Sequence, residues 1–221
     1  MKLRHTEVGV PAGEHWLDGI LAHHAEVPGL VILAERTGST LKTARGAFVT
    51  NALDEAGFAT LQIGLLSHEE ERRAPDTWHQ VSTLAARLGA VLEWVRHQPA
   101  LKKLPMGIAS RDAGAAAMIR IAGRAGTQLQ ALVSRSGRPD LAGMEPLRAL
   151  NVPLLLVTGE RDAEALAPNR QVYDVLACPK ELTIVPGASH GFEELGTLDE
   201  ASGHIVRWFK RWLTREDSSP A

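Results

Sequence analysis

Residues 110–114 read Ser-Arg-Asp-Ala-Gly. They follow the apolar run LPMGIA (104–109) and lead into AAAMIRIAG (115–123), an Ala-rich stretch with the composition of a helix. A short apolar strand, a tight turn with small residues on both sides of one reactive residue, and then a helix is the layout of an active-site turn. The residue at its apex is Asp112. Aspartate is also among the best helix N-caps, so the same five residues support a purely structural reading.

Outward from this turn, short apolar runs alternate with helical patterns. Strands are expected at Thr6–Pro11 and His15–Ala22, joined by Pro-Ala-Gly, and then at 29–35, 58–66, 104–109, 129–134, 152–159 and 181–187. Helices are expected at 39–56, 77–98, 112–125, 165–177 and 197–213. In the second of these Val81, Leu84, Leu88, Val91, Leu92 and Val95 share one face. In the last, Leu198, Ala201, Ile205, Trp208, Phe209 and Trp212 form an apolar stripe. Strands that are apolar throughout, alternating with helices, predict an α/β fold with a mostly parallel central sheet covered on both faces. The two early strands predict an antiparallel edge. Residues 1–214 read as one domain, with 215–221 a disordered tail.

Composition narrows the function classes. The chain has 221 residues, 44% of them apolar, and a formal net charge of −2 from 24 basic and 26 acidic residues. This gives no footprint for nucleic acid. No apolar run approaches the roughly 20 residues that span a bilayer, and the first ten residues carry no apolar signal core. A cytoplasmic protein without membrane contact is expected. The one cysteine, Cys178, reads as a packing residue. No cofactor and no metal are expected, although Glu35, Asp112, Asp162 and His190 would suit a metal if they converged. A small-molecule substrate or ligand is the expected partner; the oligomeric state is left open.

In parallel sheets of this kind, working residues sit in loops beyond the carboxyl ends of the strands. Four such loops stand out: AERTGS after 29–35, SRDAG after 104–109, ERDAEAL after 152–159 and ASHGFEE after 181–187. In chain order they offer an apex residue, then an acid, then a histidine. With GLVILAERTGS, LDEAGFATLQIGLL, SRDAGAAA, LVSRSGRPDLAG, LLLVTGERD and IVPGASHGFEE, the chain from about residue 8 to 213 resembles the α/β-hydrolase superfamily. Within it, the similarity is to the dienelactone-hydrolase-like group that lacks a cap domain. The resemblance implies Asp162 as the triad acid and His190, in Pro-Gly-Ala-Ser-His, as the triad base. It places Asp112 where relatives carry a Ser or Cys nucleophile, and the Ala113 N–H as one oxyanion donor. The loop after the third strand, often His-Gly-x-Gly in relatives, reads Glu35-Arg36-Thr37-Gly38. Glu35 and Arg36 are therefore candidate substrate contacts, with Arg36 either a positive oxyanion donor or the residue that closes the hole.

Two functions follow as expectations. In one, the altered turn and oxyanion loop leave ester or lactone hydrolysis weak or lost, and the protein is a non-catalytic or repurposed homologue. Glu35, Arg36, Arg111 and Asp112 would then form a salt-bridge network filling a disused pocket. In the other, the protein is an active small-molecule hydrolase that uses Asp112, or water activated by His190 and Asp162. Carboxylate attack on an ester carbonyl gives an anhydride. Relatives that use an elbow Asp displace at alkyl carbon and carry a cap domain, for which the short segment between 134 and 152 has no room. Ser110 and Ser39 are minor alternatives as nucleophiles, and Glu160 or Glu164 as the acid. Trp16 and Trp78 are candidates for a pocket wall.

Overall fold

The computed structural model describes residues 4–37, 44–67, 69–70, 80–124 and 128–214. Ser39, Trp78 and the tail from 215 lie outside them. The strands are β1 (Arg4–Ala12), β2 (His15–His23), β3 (Leu30–Thr37), β4 (Ala59–Leu66), β5 (Met106–Arg111), β6 (Leu129–Gly137), β7 (Leu154–Gly159) and β8 (Lys180–Val185). They form one sheet in the order β1-β2-β4-β3-β5-β6-β7-β8. β1 and β2 form the expected antiparallel edge, and β2 runs antiparallel to β4. From β4 to β8 every pairing is parallel. Pro11 and Ala12 belong to β1, so the hairpin turn is Gly13-Glu14 and not Pro-Ala-Gly.

The helices are α1 (Ala44–Glu55), α2 (Val81–Arg96), α3 (Asp112–Ala122), α4 (Met144–Ala149), α5 (Ala163–Val175) and α6 (Thr197–Leu213). They cover both faces. One core layer packs α2, α3 and α5 on the sheet through Leu88, Met118, Ile121 and Val172, against Leu132, Leu154 and Leu156. The other packs α1 and α6 through Val49, Leu53, Ile205 and Phe209, against Leu33, Val133 and Val157. Alternation along each strand sends successive side chains to opposite layers. β4 is buried at every position because it has strands on both sides and helices on both faces.

Element ends differ from the sequence expectation by a few residues. β5 extends to Arg111 and β6 to Gly137, because tertiary pairing at the carboxyl edge continues past the apolar run. Between β6 and β7 lie only a short 3₁₀ turn (Pro139–Ala142) and α4, so no cap domain is inserted between these two strands. Cys178 is buried, as a packing residue should be. Trp16 stands 67% exposed on the outer hairpin, its ring lying against Gly9.

Candidate active site

β5 passes directly into α3, and Asp112 sits at the junction with φ +49°, in the left-handed region. A non-glycine residue held in this conformation marks a sharp turn, here between a strand and the helix that folds back on it. The turn is tight enough that a Cβ on Gly114 would stand 2.2 Å from the Ser110 hydroxyl oxygen. That hydroxyl is buried and donates to the Ala34 carbonyl at 2.8 Å, which ties β5 to β3 and makes Ser110 a packing residue. The Asp112 carbonyl accepts from the Arg138 N–H at 2.9 Å, which fixes the turn to the end of β6.

Asp112 is the first residue of α3 and an acid in its first turn, while the N-cap is Arg111, which makes no side-chain cap. The side-chain bonds of Asp112 go to a histidine and an arginine. Its Oδ1 stands 2.9 Å from His190 Nε2, and its Oδ2 accepts from Arg111 Nε at 3.3 Å. His190 Nδ1 lies 2.9 Å from Asp162 Oδ2. Asp162 is 4% exposed, and its other oxygen caps α5 by accepting from the Ala165 N–H at 3.2 Å. The acid, the histidine and the turn residue expected from three separate loops therefore form one continuous chain. Glu160 is otherwise engaged: its carboxylate accepts from the Gly187 N–H at 2.7 Å.

Both ring nitrogens of His190 face carboxylates, and an ionised carboxylate only accepts. Donation from both nitrogens at once is possible only for the protonated ring, and that is the form two ionised carboxylates favour. In agreement, the bond to Asp112 raises the His190 pKa against the opposing effect of burial, and the charges of Asp162 and Asp112 raise it further. Burial alone would push Asp112 upward. The His190 bond and Arg111 outweigh it and leave its pKa below the usual carboxylate value.

These shifts set a pH dependence. His190, raised in the fold, contributes stability that is full below about pH 6.5 and is lost as pH rises through its folded pKa. Asp112, lowered in the fold, contributes stability that is full above about pH 3.9 and is lost as pH falls through its folded pKa. Their pairing is strongest in the window between. Urea unfolding across pH is expected to show a stability difference between wild type and Asp112→Asn that peaks there and shrinks on both sides. Asn suits the left-handed conformation, so the comparison isolates charge. A difference independent of pH would contradict the assignment.

Two spaces adjoin the turn. A cavity of about 530 Å³ lies over Asp112, lined by Arg138, Leu141, Arg161, Asp162, Glu164 and His190 among others. On the other side is a crevice of about 10 Å³, bordered by Glu35, Arg36, Asp112, Ala113 and Gly114. Glu35 and Ala113 are buried there, and Arg36 is exposed. Of the expected four-residue network the Arg111–Asp112 pair forms, because the turn brings adjacent side chains together; Glu35 and Arg36 border the same crevice. Nor do Glu35, Asp112, Asp162 and His190 converge. Glu35 lies across the turn from the other three, and among the described residues no group of three or more His, Cys, Asp or Glu is arranged to hold a metal.

The sequence reading missed what holds the histidine loop. Glu194 accepts from the Ser189 N–H at 2.9 Å, and the Arg161 N–H donates to the Ala188 carbonyl at 2.9 Å. Gly159 lies so close to this loop that a Cβ there would be 2.3 Å from the Ala188 oxygen. The Arg161–Ala188 and Gly159–Ala188 contacts join residues of two loops and have no local spacing to reveal them.

An eight-stranded sheet of this order, with turn, acid and histidine at its carboxyl edge, defines an α/β-hydrolase fold. No protein-family model matches the chain. The crystal structure of dienelactone hydrolase from Anabaena variabilis superposes with a TM-score of 0.90 and 34% identity, covering 96% of this chain and 100% of that one. The chain therefore belongs to the dienelactone hydrolase family. Est1E from Butyrivibrio proteoclasticus, at TM-score 0.78 and 12% identity over 93% of this chain and 98% of its own, shares the fold. Putative phosphoribosyl transferases of Mycobacterium tuberculosis are 39% identical over 207 residues, which is 94% of this chain and 46% of theirs. The chain thus spans about half the length of these curated relatives.

Proposed function

We propose that Asp112 stands at the nucleophile position of this dienelactone-hydrolase fold, and that conventional ester and lactone hydrolysis is lost. The protein then serves as a repurposed member that binds a small molecule. The observation that carries this reading is the clamp on His190, with carboxylate oxygens 2.9 Å from both ring nitrogens. A general base needs a free lone pair, and a doubly bonded imidazolium has none. Asp112 brings no hydroxyl or thiol, and its attack on an ester carbonyl would have to form a high-energy anhydride while expelling a much more basic alkoxide. The cavity of about 530 Å³ is of the size that encloses small ligands. Ala113 would supply a backbone N–H to a bound oxygen, with Glu35 and Arg36 at the edge of the same turn.

Among the described residues no helix is long and apolar enough to cross a membrane. The transferase name of the longer relatives supports a role for this fold beside another activity. The second reading, a hydrolase using Asp112 or activated water, draws on the open cavity above the carboxylate.

The test is turnover by the wild-type protein. Aryl esters, lactones and short haloacids are expected to be hydrolysed no faster than in buffer. Turnover of any of them that Asp112→Ala and His190→Ala both abolish would establish the hydrolase instead.

A further inference from the structure

The sheet register carries a feature outside the Asp112–His190–Asp162 chain. Ala34 is paired with Ser110 and Ser110 with Ser134, so the next residues, Glu35, Arg111 and Arg135, stand side by side at the ends of three adjacent parallel strands. They share strand parity with Leu33, Ala109 and Val133, which face α1 and α6. Their side chains therefore emerge on that layer, and they line one crevice together with Val49 and Ile205. The cavity over Asp112 is on the other layer, bordered by Arg138, Leu141 and Ala165.

This row has one acid and two guanidinium groups. Arg111 makes one contact to a carboxylate, 3.3 Å from Asp112, and that acid is already bonded to His190. Arg135 is largely buried, with its guanidinium 6.0 Å from the centre of the Phe192 ring. Among the described residues it has no hydrogen bond, and no carboxylate lies within 4.0 Å of it. Glu35 lies within electrostatic reach but makes no hydrogen bond among the described residues. None of the Arg135 nitrogens is sealed from solvent, so the fork is open to an anion, and a cation whose nearest carboxylate is not bonded to it attracts one. The crevice holds about 10 Å³, room for roughly one oxygen-sized atom.

We propose that Arg111 and Arg135 form an anion subsite, which takes one oxygen of a carboxylate or phosphate monoester group of a ligand, with Glu35 as its resting counter-charge. Guanidinium forks match both groups. The subsite is joined to the Asp112 site by the Arg111–Asp112 contact, but its anion binding is read without any turnover.

Calorimetric titration of the whole chain with inorganic phosphate and, separately, with acetate tests this at constant chloride and ionic strength. Saturable binding of at least one anion is expected, weakened at least about tenfold in Arg135→Met and strengthened severalfold in Glu35→Gln, which removes the competing carboxylate. Phosphate preferred over acetate assigns a phosphate monoester, and the reverse a carboxylate. Absence of saturable binding, or binding unchanged in Arg135→Met, would overturn the proposal. Should Arg135→Met not fold, Glu35→Gln decides: unchanged or weaker binding refutes the subsite.

Discussion

Gly159→Ala is expected to melt well below the wild type and to lose the raised pKa of His190. A Cβ at position 159 would stand 2.3 Å from the Ala188 carbonyl oxygen and 2.7 Å from that of Ser189. Both obstacles are backbone, so no side-chain rotation relieves them. The loop carrying His190 must lift from the end of β7, and the Arg161–Ala188 hydrogen bond goes with it. Overpacking against backbone costs about 3 kcal/mol, the upper end of its usual range. For a chain of this size that is a fall of roughly 6–12 °C in melting temperature. Displacing the loop also parts His190 from Asp162, because the acid is held by its own cap on α5 and does not follow. Thermal melting and NMR titration of the histidine rings measure the two effects. A melting temperature within about 2 °C of wild type would show that the loop is not packed as described.

Asp112→Ser is expected to gain esterase activity where the wild type has none. The substitution takes away the acceptor that holds a proton on His190 Nε2, so the ring becomes free to act as a base while Asp162 still fixes Nδ1. The left-handed turn already presents the apex side chain, and Gly114 already leaves room beneath it. The serine oxygen sits one bond nearer its Cα than Asp Oδ1, so His190 must approach by ~1.2 Å, the length of a C–O bond. Its side chain is 47% exposed, which leaves it free to move. General-base assistance is worth about 10²–10⁴-fold, so a rise of at least a hundredfold over wild type on an activated aryl ester is the expected scale. No gain, with His190 shown by NMR to titrate near its ordinary value, would place the defect elsewhere, in the oxyanion loop around Glu35 and Arg36.

The two results bear on different links. The glycine tests whether packing at the sheet edge positions the histidine. The serine tests whether the identity of one side chain is what separates this site from acyl transfer.

Much of the fold was legible because burial writes itself into a linear pattern. Strands such as 152–159 lie within a sheet covered on both sides and must be apolar throughout. The last helix shows its buried face at helical spacing. The order of turn, acid and histidine was readable because each follows a strand and each strand ends at the same edge. Of Asp162, Glu160 and Glu164, the structure brings Asp162, the acid the resemblance implies, to His190. What Asp112 does was not legible. A capping aspartate and an apex aspartate have the same neighbours in sequence, and only the φ of +49° and the position of His190 separate them. The Arg111–Arg135 pair was likewise hidden, since the residues become neighbours only through the register between β5 and β6. Sequence by itself determined the layers, the parallel core and the loops that hold the site, because hydrophobic periodicity and strand–helix alternation are local properties. Tertiary structure alone decided the two carboxylates that flank His190 and the Arg111–Arg135 pair, because both depend on distances between groups that strand pairing brings together.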